Sequence, residues 1–414
     1  MRKSAVVVIR MQQNSNFNLL YPDTIDWDVF KNNKPSVPFA ESVIDYLSAL
    51  SGSLLKDRQS RLYPEVITFA YFCRKSNLLK LKSEYIDTAE LRLGRGVAFH
   101  IAPSNVPVNF AYSLVAGMLS GNVNIVRVSS KEFPQVDLII KHMKDILHAG
   151  TIDRQKLPQI ALISYSRDSD ATAFFSKMAA TRIIWGGDST IATIRKNELP
   201  PRSFDICFAD RYSIAVINPD AVMKADDKDM NRIAEDFYND TYLFDQNACS
   251  APRLIFWTKS KSLNEAKERF WNSIHDYTLK HYNLQAVLCV DKLTAFYRQS
   301  IDMDIRINEM PDNLIVRTDI LSQVPTDIDS YRCAGGYFTE KTIDSLDEIA
   351  PVISNKYQTM AYFGFDKEEL ENFVISNELK GIDRIVPIGR TTEFSLTWDG
   401  YNLIDMMSRI ISVK

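Results

Sequence analysis

The sequence predicts an α/β fold, with a doubly wound parallel sheet over about residues 91–209 and a second α/β unit beginning near Asp210. Three observations carry this reading. Short apolar runs alternate with amphipathic segments from residue 91 onward, the pattern of repeated βα units. The 414 residues are 45% hydrophobic and 24% charged with only 14 glycines, which suits a mixed α/β chain able to bury its own cores. No internal repeat, low-complexity tract or Pro/Gly/Ser-rich linker interrupts the chain, so the units are expected to pack rather than hang on a tether.

Residues 1–90 read as a mostly helical N-terminal region. Pro64-Glu65 opens an amphipathic helix carrying Val66, Ile67, Phe69, Ala70 and Phe72, with proline at the first helical position. The alternation then runs strand 97–102, helix 108–119, strand 125–128, helix 136–147, strand 160–164, helix 171–178 and strand 182–185. Sheets of this kind bind ligands beyond the carboxyl ends of their strands. The loops there read Pro103-Ser104-Asn105-Val106-Pro107, Ser129-Ser130-Lys131 and Gly186-Gly187-Asp188-Ser189. Glycines let a backbone approach a ligand closely, and helix starts favour phosphate. Each loop alone reads better as an ordinary turn, while three on one sheet edge make a ligand site as good a reading as three turns.

The second unit, about 210–383, reads as strand 214–217, a helix with Ile233, Phe237, Tyr238, Tyr242 and Leu243 at helical spacing, strand 254–257 and a charged helix 263–282. The C-terminal segment, 384–414, is apolar and turn-rich, and is expected to pack.

A net charge of −3 and no compensating basic patch argue against a nucleic-acid binder. Val6-Val7-Val8-Ile9 is too short for a signal sequence or a membrane span, so a cytoplasmic chain without a membrane anchor is expected. Cys73, Cys207, Cys249, Cys289 and Cys333 show no paired C-x-x-C spacing, which indicates reduced thiols and neither zinc nor disulfides. The histidines are dispersed: His142 and His148 lie in a charged helix and His275 and His281 flank another. They read as surface or half-buried residues rather than metal ligands.

Phe244-Asp245-Gln246-Asn247-Ala248-Cys249-Ser250-Ala251-Pro252-Arg253 places a small thiol between a helix end and the apolar strand Leu254-Ile255-Phe256-Trp257. A lone cysteine is more often buried and inert. At such a chain reversal, however, a thiol can face a cleft, which makes Cys249 the candidate nucleophile.

Taken in order, Gly96-Val97-Ala98-Phe99-His100-Ile101-Ala102-Pro103-Ser104-Asn105-Val106-Pro107, Ser120-Gly121-Asn122-Val123-Asn124-Ile125-Val126-Arg127-Val128-Ser129-Ser130, Ile184-Trp185-Gly186-Gly187 and the Cys249 decapeptide resemble the LuxC-type bacterial acyl-CoA reductases, a branch of the aldehyde dehydrogenase superfamily. Gly381-Ile382-Asp383-Arg384-Ile385-Val386-Pro387-Ile388-Gly389 and Trp398-Asp399-Gly400 resemble the family's carboxyl-terminal signature. The resemblance implies an aldehyde dehydrogenase-like fold, with a nicotinamide-cofactor domain followed by a catalytic domain. It implies reduction of an acyl thioester, from CoA or an acyl-protein synthetase partner, to an aldehyde by a homo-oligomer. Cys249 would accept the acyl group. Asn105, also readable as a helix cap, would form an oxyanion hole with the cysteine's own N–H. Ser104, Arg127, Ser129, Ser130, Gly186 and Gly187 would contact the cofactor.

Ser130 stands where the wider superfamily has an acidic residue that accepts from the ribose 2′-hydroxyl. Its neutrality, with Arg127 and Lys131 nearby, favours NADPH, with NADH possible. The hydrolytic members' general-base glutamate is missing from Phe204-Asp205-Ile206-Cys207-Phe208-Ala209-Asp210, which fits acyl reduction rather than oxidation to a free acid. The glutamate that often holds the nicotinamide ribose cannot be placed near Tyr331-Arg332-Cys333-Ala334-Gly335-Gly336. Local dipoles are expected to lower the Cys249 thiol below its usual value. A CoA-acylating dehydrogenase run oxidatively, a silent acyl-holding subunit of a synthetase complex and an acyltransferase without a redox step remain alternatives. The acyl chain itself is not legible.

Overall fold

The structure, a computed structural model, describes residues 17–87, 90–103, 106–150 and 152–414. It divides into two compact units, one of residues up to Ala209 together with Tyr401–Lys414, the other of Asp210–Gly400.

The first unit starts with strand β1 (Asn18–Tyr21) and helices α1 (Trp27–Lys31), α2 (Glu41–Lys56), α3 (Pro64–Phe72) and α4 (Lys75–Tyr85). The strand β1 differs from the helical expectation for this region: it adds antiparallel to the sheet edge, with Asn18 opposite Ser164. After a short β2 (Arg92–Gly94) come β3 (Val97–Ile101), α5 (Asn109–Leu119), β4 (Val123–Arg127), α6 (Pro134–His148), β5 (Ile160–Ser164), α7 (Ala171–Ser176), β6 (Thr181–Trp185), α8 (Asp188–Arg195) and β7 (Phe204–Phe208). The sheet order is β1-β5-β4-β3-β6-β7, parallel apart from β1. The order reverses beside β3, and such a switch point opens a crevice at the carboxyl ends of the strands. Every residue of β3 and β6 is buried, as expected for strands covered on both faces.

Helix α5 lies close against this sheet because residue 117 is glycine. A Cβ there would stand 2.0 Å from Asn124 Oδ1 and 2.7 Å from His100 Nε2. His100 is fully buried, with Nδ1 2.8 Å from Ser113 Oγ and Nε2 3.0 Å from Asn124 Oδ1, and Trp185 Nε1 donates to Ser113 Oγ at 3.1 Å. Burial pushes this imidazole down to about 4, so it is neutral. Two histidines expected near the surface are also buried by their partners: His142 between Ser53 and Asp57, and His275 against Asp312. His275 and His281 lie inside a helix rather than flanking one.

The second unit comprises β8 (Tyr212–Ile217), α9 (Pro219–Lys224), α10 (Asp227–Thr241), β9 (Pro252–Thr258), α11 (Leu263–His281), α12 (Ala286–Asp302), β10 (Ile305–Asn308), β11 (Val316–Ile320), β12 (Tyr337–Ile343), β13 (Tyr357–Phe363), α13 (Lys367–Ser376) and β14 (Arg384–Pro387). Its sheet order is β10-β11-β12-β9-β8-β13-β14, with only β10 antiparallel to its neighbour. Alternate strand residues feed two cores. Ala215, Ile217, Ile255, Trp257 and Phe338 pack under α10 and α11, while Ile214, Val216, Leu254, Phe256 and Met360 fill the opposite face. In the first core the buried Glu340 is fully matched: Trp257 Nε1 and Trp271 Nε1 each donate to Oε1 at 2.8 Å, and Arg317 Nη2 donates to Oε2 at 2.8 Å.

Residues 384–414 contribute to both units. β14 extends the second sheet, whereas helix Leu403–Met407, capped by Asn402, leads into strand Ser408–Ile410, which pairs antiparallel with β2. Among the described residues no helix is long and apolar enough to cross a membrane.

Candidate active site

Cys249 sits in the reversal between α10 and β9. Helix α10 buries Ile233, Ala234, Phe237 and Tyr238 and runs into a single tight turn, Tyr242–Phe244. Asp245 and Gln246 then take left-handed conformations, φ 50° and 61°. Such conformations cost non-glycine residues about 1–3 kcal/mol each and persist where surrounding structure enforces them.

Here the enforcing groups are specific. The buried Gln246 amide donates to Pro252 O at 3.0 Å and Tyr337 O at 3.2 Å, and accepts from Gly336 N at 3.0 Å and Tyr337 N at 3.1 Å. Tyr282 Oη donates to Asp245 Oδ1 at 2.7 Å. The buried Arg253 guanidinium donates to the carbonyls of Ala248 at 3.4 Å, Ala251 at 3.2 Å and Gln246. Ser213 Oγ, on β8, donates to the Cys249 carbonyl at 2.7 Å. The carbonyls of Gln246, Ala248, Cys249 and Ala251 are thereby held around the half-buried, unbridged thiol.

The electrostatics correct one expectation. The Cys249 thiol is raised, not lowered, because burial penalises the thiolate. The backbone N–H of Arg211 donates to the sulfur and, with the Arg253 cation, opposes that shift, while the carboxylates of Asp210 and Asp399 add to it. Asp210 pairs with Arg332 at 2.8 Å. Asp399 accepts from the Gln358 amide. Arg211 itself is tied to Tyr357 O at 2.9 Å and to Asp383.

The other site residues read from the sequence lie in the first unit. Ser104 and Asn105 fall outside the described residues. Arg127 ends β4, Ser129 and Ser130 follow it, and Gly186 and Gly187 follow β6, so these five share the carboxyl edge of one sheet on either side of β3. Arg127 is less free than the sequence suggests. Its guanidinium stacks 5.0 Å from the Tyr165 ring centre and donates to Tyr165 O at 3.3 Å, yet its buried Nε finds no partner among the described residues. Ser129 Oγ accepts from the Lys131 N–H at 3.1 Å, a local turn, and Ser130 is exposed. Gly186 N–H donates to Phe208 O at 3.1 Å, and Gly187 caps α8 with nothing within 4 Å of where a Cβ would stand. An orphan guanidinium nitrogen, a helix start and open backbone beside a switch point fit a phosphate-bearing dinucleotide. Among the described residues no group of three or more metal-ligating side chains occurs.

Sequence reasoning passed over Ser213 and Gln358, and met Asp399 only as part of the carboxyl-terminal signature with no role attached; all three are far from Cys249 in the chain. The roles of Gln246 and Arg253 were present in the decapeptide but carried no signal beyond adjacency.

A family model for acyl-CoA reductase (LuxC) matches residues 78–409. The long-chain acyl-protein thioester reductase of Vibrio harveyi is 22% identical over 310 residues, covering 72% of this chain and 60% of the relative. The protein of the same description from Aliivibrio fischeri is 24% identical over 165 residues, 39% of this chain and 32% of the relative. The chain thus aligns with less than two thirds of either relative's length. Among solved structures, betaine aldehyde dehydrogenase from Staphylococcus aureus superposes with a TM-score of 0.63 at 14% identity, covering 93% of this chain and 85% of that one. For 1-pyrroline-5-carboxylate dehydrogenase from Thermus thermophilus the values are 0.62, 12%, 94% and 83%. At such identities the likeness speaks for the fold, which is aldehyde dehydrogenase-like. The family match covers most of the chain, including the Cys249 turn and every strand of the two sheets except β1, and on that ground the chain belongs to the acyl-CoA reductase (LuxC) family.

Proposed function

We propose that this protein reduces an acyl thioester to an aldehyde through an acyl group carried on Cys249, using NADPH in preference to NADH. The observation that carries the reading is the Cys249 turn itself: the side chains of Gln246, Tyr282 and Arg253 hold the two strained residues, Asp245 and Gln246, and Ser213 holds the Cys249 carbonyl, with a backbone N–H at the sulfur. Left-handed non-glycine residues also occur at Phe39, Glu378, Ile382 and Asp399, so what supports the reading is the pair of consecutive residues held by buried side chains just ahead of the thiol.

In the acylation step the Cys249 sulfur attacks the donor's carbonyl carbon and the donor thiol departs. The donor is CoA or a carrier protein, in keeping with relatives described as acyl-protein thioester reductases. The oxygen that gains charge needs donors: the cysteine's own N–H is one, and the family resemblance assigns Asn105 as the other. The bound cofactor supplies hydride, and Arg127, Ser129, Ser130, Gly186 and Gly187 supply the charge, small side chains and open backbone to hold it. The absence of a glutamate from residues 204–210 suits a site that transfers its acyl group to hydride rather than to water. On α12 the residues Val287, Val290, Leu293, Tyr297 and Ile301 form an exposed apolar stripe, which supports self-association of the chain.

Mixing the protein with NADPH and a panel of acyl-CoAs should give loss of nicotinamide absorbance matched by aldehyde. Absence of both with every acyl-CoA and with acylated carrier protein would reject the reading.

A further inference from the structure

We infer that helix α12 is a twofold dimer face: it takes the α12 of a second copy of this chain as an antiparallel partner, with Asp291 of each copy set against Arg298 of the other. The inference gives a place and a geometry to the self-association proposed above, and it stands independently of acyl transfer at Cys249.

Helix α12 is turned inside out. The residues it buries are polar, Lys292 and Gln299, which lie seven apart and therefore on one stripe. Lys292 Nζ donates to the carbonyls of Asn313 and Leu314, while the Gln299 amide donates to Thr339 Oγ1 at 3.2 Å and accepts from Tyr337 Oη at 2.7 Å. These bonds satisfy the buried polar groups and moor the helix to its own unit. Val287, Val290, Leu293, Tyr297 and Ile301 recur at helical spacing on the opposite face and are 53–81% exposed. A surface helix ordinarily points such a stripe at its own core, so a helix set the other way round is built to have its outer face covered. The five residues leave on the order of 600 Å² bare on each copy, and pairing two copies would cover roughly 1,200 Å², the size at which stable interfaces begin.

The charges beside the stripe select the partner. Asp291 and Arg298 are exposed, lie seven residues apart and so share one flank of the stripe. Neither has an ion-pair partner among the described residues, and the Arg298 guanidinium lies 5.8 Å from the centre of the Tyr331 ring. When two copies of a helix run antiparallel about a twofold axis, each flank meets the same flank of the other copy in reverse order. With the axis between Thr294 and Ala295, position 291 of one copy falls opposite position 298 of the other, twice over by symmetry. The same axis lays Val287 beside Ile301 of the other copy and brings Leu293 and Tyr297 to the centre. A flank with one charge of each sign at equal distances from the axis is complementary to itself, which fits a second copy rather than a partner of one uniform charge.

The test reads assembly rather than turnover, on the whole chain, by sedimentation velocity at low and at high salt. The wild-type chain should sediment as a dimer or a higher even-numbered assembly. Tyr297→Glu puts a charge into the stripe and should split that assembly into halves, weakening association by about thirtyfold or more. Asp291→Arg and Arg298→Asp should each weaken it by about tenfold at low salt and less at high salt, since both symmetry-related pairs turn repulsive. Mixed together, the two single variants should associate with each other at about wild-type strength, because one then carries two positive flanking charges and the other two negative. A monomeric wild-type chain overturns the inference, as does an assembly that Tyr297→Glu leaves intact or a mixture of the two charge variants that associates no better than either alone. A monomer that binds an acyl-protein synthetase, and loses it in Tyr297→Glu, also overturns it and gives the face to that partner. Failure of Cys249 to acylate in a chain that still dimerises through α12 would reject the proposed function and leave this inference standing.

Discussion

Gln246→Leu removes the side chain that locks the Cys249 turn, and its cost can be worked from the contacts. The leucine is close in size but leaves Pro252 O, Tyr337 O, Gly336 N and Tyr337 N without their partner in a place where Gln246 is 0% exposed. At a net value of about 0.5–1.5 kcal/mol per bond, the loss is about 2–6 kcal/mol, and the strained φ of 61° is no longer enforced. Urea unfolding monitored by tryptophan fluorescence measures the stability, and acyl-CoA labelling of Cys249 measures the orientation. Both should fall. Gln246→Glu is the sharper control: it keeps the acceptor oxygen but turns a carboxylate oxygen toward two carbonyls. Its stability should therefore be worse at neutral pH than under acid conditions that protonate it. A Gln246→Leu loss below about 1 kcal/mol with labelling intact would refute the view that this amide holds the turn.

Three further outcomes are expected. The His100 imidazole moves from 6.5 to about 4 on folding, so the stability it contributes is full above 6.5 and is lost as pH falls toward 4; on the order of 3 kcal/mol should disappear across that window in urea titrations of wild type and not of His100→Gln. Ser130→Glu should shift the ratio of kcat/KM values toward NADH by about tenfold or more, since a carboxylate would repel a 2′-phosphate; an unchanged ratio would reduce Ser129-Ser130 to the start of a turn. Asn105→Ala should lose about a hundredfold to a thousandfold in kcat while still binding cofactor, and a near-normal kcat would reduce Asn105 to a helix cap.

Much of the fold could be read because the first sheet announces itself locally. Runs such as Val97-Ala98-Phe99-His100-Ile101 are buried on both faces and alternate with helices at short range. The strand β1 was missed because its pairing with β5 spans more than a hundred residues and its own sequence, Asn18-Leu19-Leu20-Tyr21, is too short to show a period. His142 and His275 looked peripheral because a histidine's burial depends on distant partners, Ser53 and Asp312, that no spacing rule connects.

The site divides in the same way. Cys249 could be singled out from its junction and its family motif, whereas its electrostatics could not: a lowered thiol was expected from local dipoles, but desolvation outweighs the Arg211 N–H that opposes it. The burial comes from non-local pairing: the sheet order β9-β8-β13 sets Ser213 beside Thr359, and Ser213 in turn holds the Cys249 carbonyl. Arg127 illustrates the converse, since its sequence position suggested a free phosphate ligand while Tyr165 already engages much of the guanidinium.

The central claim is that Cys249 carries the acyl group, and trapping the acyl-enzyme tests it most directly. Protein mixed with an acyl-CoA in the absence of cofactor, quenched in acid and digested, should show one added acyl mass on the peptide containing Cys249. The adduct should be released by hydroxylamine and absent from Cys249→Ser, with Cys73, Cys207, Cys289 and Cys333 unmodified. An adduct on one of those four thiols that persists in Cys249→Ser would contradict the account.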